Sequence, residues 1–144
     1  MRTHVTFRHP APLVLVSEDD GILSIDGADW FVSLLKRIDS LAIKTGLIQE
    51  DWGVVAQVAR SGKTFWIGLS FWPEGDQAWL AHLHHGSFNL LQRLLPAGDR
   101  ELRRLLSDLH LVLAAEPSVS EAMWYREDAL VRWPLDGAET PDES

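Results

Sequence analysis

The stretch GVVAQVARSGKTFWIGLSFW, residues 53–72, decides how this chain folds. Two runs rich in β-branched and aromatic residues flank Ser61-Gly62, a two-residue turn of the kind that closes a β-hairpin. A turn there fixes the register, with Arg60 opposite Lys63, Val58 opposite Phe65, Ala56 opposite Ile67, Val54 opposite Leu69 and Trp52 opposite Phe71. Because side chains alternate sides along a strand, one hairpin face is almost wholly apolar. The reverse face sets Gly53, Val55, Gln57 and Ala59 against Thr64, Trp66, Gly68, Ser70 and Trp72, so large rings stand among very small residues.

The same segment contains SGKT, residues 61–64, the ending of a phosphate-binding loop. That motif needs a glycine where Gln57 stands and must open a helix, whereas Lys63 and Thr64 open a strand, so a plain hairpin turn is the reading.

Downstream, PEGD at 73–76 turns the chain into QAWLAHLHH, a third strand that makes the hairpin an antiparallel meander. With a four-residue loop from Pro73 to Asp76, Phe71 faces Ala78, Leu69 faces Leu80, Ile67 faces His82 and Phe65 faces His84. His82 and His84 then belong to the apolar face, while Trp66, Trp72 and Trp79 share the other and make a groove over Gly53, Gly68, Ser70 and Ala81. A loop of odd length exchanges the two faces.

Short apolar runs at 13–16 and 22–25 around SEDDG predict an N-terminal hairpin, and THVTFR at 3–8 adds a possible strand. From Asp26 the period changes. Phe31, Leu34, Leu35, Ile38, Leu41 and Ala42 recur at threes and fours, predicting a helix of about four turns that ends at Gly46. A short helix capped by Ser87 stops before Pro96, and a longer one carries Leu102, Leu105, Leu106, Leu109, Val112 and Leu113 as its apolar stripe, ending near Pro117. SVSEAMWYRE alternates again and reads as a late strand at the sheet edge. The expected architecture is α+β: a mostly antiparallel sheet built on a three-stranded meander, with two main amphipathic helices and the short helix packed on one face.

Length and composition suit one domain over residues 1–135: 46% of the 144 residues are hydrophobic and 24% charged. Half of the net charge of −8 comes from the last nine residues, DGAETPDES (136–144), a stretch with too little apolar surface to order itself. The 13 Lys and Arg form no dense cluster, which argues against nucleic acid. No apolar run reaches the roughly 20 residues of a membrane span, and Pro10 and Pro12 interrupt any leader, so a cytoplasmic location is expected. The chain has no cysteine, which excludes disulfides, thiolate catalysis and Cys-ligated zinc.

Two features carry functional expectations. Seven tryptophans, three of them on the groove face, suggest a non-catalytic binding module that meets a protein partner or a second copy of itself through Trp66, Trp72, Trp79, Gln57 and Ser70. The order of helix, meander, helix and strand is loosely similar to small acidic chaperones of secreted effectors, and bacterial immunity proteins are similarly acidic; either likeness implies an adaptor role without a cofactor. The alternative centres on HLHH. His82 and His84, two apart on a strand, project to one side and can share a zinc ion, with His85 as the third ligand if the strand ends there; a metal-binding protein or small metal-dependent hydrolase would follow. His4, His9 and His110 are remote in sequence. No nucleophile elbow or acid–base pair marks any other catalytic site.

Overall fold

The computed structural model describes residues 1–10, 26–46, 48–50, 53–71, 78–86, 96–132 and 137–142. In chain order these form β1 (His4–Arg8), α1 (Asp26–Leu35), β2 (Ala42–Ile43), β3 (Ile48–Glu50), β4 (Gly53–Arg60), β5 (Lys63–Phe71), β6 (Ala78–His85), α2 (Pro96–Ala115), β7 (Ser120–Tyr125) and a 3-10 helix (Glu127–Arg132). The expected hairpin at 13–25, the PEGD turn, the short helix after Ser87, and Trp52, Trp72 and Trp133 lie outside the described residues.

The architecture is α+β with an antiparallel sheet. Its seven strands run in the spatial order β2-β4-β5-β6-β1-β7, and β3 pairs with β4 beside β2. The central hairpin has the expected register from Arg60↔Lys63 to Val54↔Leu69. Ser61 and Gly62 both take positive φ, 53° and 73°, the pair of left-handed residues that a two-residue turn needs to match the strand twist.

Alternation along β4 is strict, with Val54, Ala56 and Val58 buried and the residues between them half-buried. The buried side meets both helices. Phe31, Leu34 and Leu35 of α1 and Leu102, Leu105, Leu106, Leu109 and Leu113 of α2 share one apolar cluster with Val5, Phe7, Val58, Phe65, Ile67, Leu69, Trp79 and Trp124 of the sheet. Each element thereby hides the stripe that it could not hide alone.

Arg60, at the end of β4, continues the buried phase. Its guanidinium meets Glu101 of α2 through Nε at 2.6 Å and Asp108, two turns further along the same helix face, through Nη1 at 2.5 Å. The ion pair lets a charged residue occupy a position where the strand's alternation points inward.

Two expectations are corrected. The first helix stops at Leu35, well before Gly46. Arg37 and Ile38 donate to the carbonyls of Leu34 and Leu35, three residues back, which tightens the last turn, and Ser40 at φ 61° then breaks the spiral. Ile38 still reaches the core, while Ala42 and Ile43 pair with Ala59 and Val58 of β4 as a strand.

The second correction is the register between β5 and β6. Phe71 pairs with Trp79, Leu69 with Ala81, Ile67 with Leu83 and Phe65 with His85, one residue away from the four-residue-loop expectation. The slip moves every β6 side chain to the opposite face. It sends Trp79, 1% exposed, into the core beside Phe7, its partner on β1, and turns His82 and His84 outward toward Gly68 and Trp66. Burying an indole in place of an imidazole is the favourable choice, since the ring nitrogens of a buried His each demand a partner.

Within the acidic C-terminal stretch, Ala138 forms a two-way backbone bridge with Trp124, and Arg2 donates to the carbonyl of Asp142. No helix among the described residues is long and apolar enough to cross a membrane.

Candidate metal centre

The face of the sheet away from the helices gathers three imidazoles. β1 reads HVTFR, so Val5 and Phe7 point into the core while His4 and Thr6 point the other way. Antiparallel pairing places His4 directly across from His82, and the carbonyl of Thr3 accepts from the amide of Leu83, 3.1 Å away, which holds the start of β1 alongside His84. On its far side His82 faces Gly68, which adds no side chain to the row.

The His4 and His82 rings stack at 5.3 Å and 20°, and His84 meets His4 edge-on at 5.7 Å and 73°. Nδ1 of His82 lies 2.7 Å from Nε2 of His84. One nitrogen from each of the three rings falls within 4.8 Å of the others, and among the described residues no further His, Asp or Glu joins the group. Four-coordinate zinc with metal–nitrogen bonds near 2.0–2.1 Å needs donors about 3.3 Å apart. Nδ1 of His82 and Nε2 of His84 stand closer than that and the three nitrogens all lie within 4.8 Å, so ring rotations with loss of the His82–His84 hydrogen bond are what one shared ion would require.

His4 and His82 are in the right protonation state. Burial, followed by the charge that His84 would carry, holds His4 down at about 4 against a weaker upward pull from Glu127. Burial and then the His84 and His4 rings hold His82 down at about 3. Both are therefore neutral at pH 7, and a neutral imidazole keeps the lone pair that a metal takes.

His85 does not join them. It lies on the opposite face, where its Nε2 contacts Oδ1 of Asp99 at 2.8 Å and its ring tilts against Phe65. The third imidazole of the cluster is instead His4, distant in sequence but adjacent in the sheet. The signal for it was the polar phase of β1, which matches the polar phase of β6 once the two strands are paired.

The tryptophan face is divided. Trp66 remains on the histidine side, half-buried, with Gln57 opposite it and Ser70, 8% exposed, further along the same strand. Trp79 is in the core, donating from Nε1 to the carbonyl of His9 at 3.2 Å. Gln57 is engaged through its backbone, its amide bound by Thr45 Oγ1 and its carbonyl by the amide of Lys44. Compared with known proteins, the chain matches no family model, no curated protein and no solved structure.

Proposed function

We propose that this chain is a metal-binding protein whose centre is His4, His82 and His84. The observation that carries the reading is the convergence of three imidazole nitrogens within 4.8 Å from two neighbouring strands, two of the rings held neutral by burial. A donor set made only of imidazole nitrogen suits zinc and its late first-row neighbours, and gives magnesium or calcium none of the oxygen ligands they require. Three protein ligands is also the number that catalytic zinc uses, with water completing the tetrahedron.

The rival reading, a partner-binding sheet face, loses Trp79 to the core, so the imidazole cluster has the stronger support. Calorimetric titration of metal-stripped protein with zinc chloride tests the proposal. One equivalent should bind, and His4→Ala and His82→Ala should each abolish stoichiometric uptake. A wild-type protein that takes up no zinc at micromolar concentrations would overturn it.

A further inference from the structure

We infer that Thr3 is the positioning residue that fixes which nitrogen His4 offers to the metal. This rests on the metal reading above and adds a residue that no ligand search would find. Thr3 Oγ1 lies 2.9 Å from Nδ1 of His4, while the Thr3 carbonyl is bound to the amide of Leu83, the residue between the other two ligands. The hydroxyl is thus anchored to the same strand that carries His82 and His84.

A neutral imidazole has one N–H and one lone pair. With Nδ1 engaged by Thr3, Nε2 is the atom of His4 left to coordinate. Once Nε2 binds a cation the ring's proton must sit on Nδ1, where Thr3 Oγ1 accepts it. The hydroxyl then does for His4 what an outer carboxylate or carbonyl does for most metal-bound histidines: it holds the ring plane, selects the tautomer and raises the basicity of the coordinating nitrogen. His4 is 5% exposed, so water is poorly placed to substitute. Thr3 is half-buried and its side chain serves no other hydrogen bond among the described contacts.

The test is zinc titration of the wild type, Thr3→Val and Thr3→Ser, with nitrogen-15 histidine NMR of the zinc-loaded proteins. Valine keeps the shape and β-branching of threonine, so β1 stays paired, and matched melting temperatures of the metal-free proteins check this. Thr3→Val should bind zinc about 10–100-fold more weakly, while Thr3→Ser restores affinity to within about threefold. A slowly exchanging Nδ1–H signal from His4 should appear in the wild type and Thr3→Ser and vanish from Thr3→Val. Equal affinity of Thr3→Val and wild type, or coordination of His4 through Nδ1, would overturn the inference and leave the metal site standing. Failure of the wild type to bind zinc would instead remove the metal reading itself.

Discussion

Arg60 and Glu101 form an ion pair with both side chains less than a tenth exposed, joining the end of β4 to the first turns of α2. Asp108, the second partner, is 43% exposed, so the two halves of this contact are unequal. Removing Arg60 leaves the buried Glu101 carboxylate, among the described residues, only a long 3.9 Å contact with the exposed Arg104. Arg60→Met should lower unfolding free energy by about 3–5 kcal/mol, whereas Asp108→Ala should cost no more than about 1 kcal/mol. Replacing both inner partners, Arg60→Met with Glu101→Leu, should recover most of the loss. Urea denaturation of the four proteins measures each step.

The metal-free protein should lose stability on mild acidification. His4 and His82 have folded values near 4 and 3, below the ordinary 6.5, so as pH falls the unfolded chain takes up protons first. Their contribution is whole above about pH 6.5 and is lost as pH drops toward 4 and 3, each group adding up to about 1.4 kcal/mol per pH unit within its window. His9, also lowered by burial, acts in the same direction. The diagnostic is therefore a difference: His4→Gln with His82→Gln should flatten the pH 6.5–4.5 slope of denaturation midpoints relative to wild type. An unchanged slope would mean that those rings are not buried neutral.

The β5–β6 register makes the two tryptophans unequal in a way the alternative register does not. Trp79→Ala should cost about 3–5 kcal/mol, the usual penalty for emptying a core aromatic site. Trp66→Ala, at a half-buried position, should cost clearly less. Thermal melts of both variants decide between registers, because the four-residue-loop pairing would place the two rings on one face.

Gly137 should not tolerate a side chain. A Cβ there would stand 2.6 Å from the hydroxyl oxygen of Tyr125, whose ring is fully buried and has no room to yield. Gly137→Ala should destabilise by about 1–3 kcal/mol, and Tyr125→Phe in the same chain should relieve part of it. Differential scanning calorimetry of the single and double variants is sufficient.

Much of the sheet was legible because its signals are local. Ser61-Gly62 specified its own register, HVTFR and SEAMWY alternated visibly, and the leucine stripe of α2 needed no partner to be recognised. What was hidden depended on parity or distance. Whether the chain between Phe71 and Trp79 holds an odd or even number of residues is not written in PEGD, yet that parity decides whether His82 faces the helices or the opposite side of the sheet. His4 looked irrelevant for the opposite reason: it stands 78 positions before His82, and only strand order brings them together. The early end of α1 was masked by Ile38, which keeps its apolar place in the core after the helix has stopped.

The position of β1 also sets a timetable. Residues 4–8 precede both of their partner segments, residues 78–82 and 120–125, so the strand occupies an inner place in the sheet that does not exist until residue 125 has been made. At about 5–20 residues per second, synthesis separates β1 from the last of its neighbours by on the order of 6–23 s. The β4–β5 hairpin can close within microseconds of emerging, while β1 waits with its backbone unpaired. The two edges of β1 are therefore filled at different times, the one facing β6 about 40 residues of synthesis before the one facing β7.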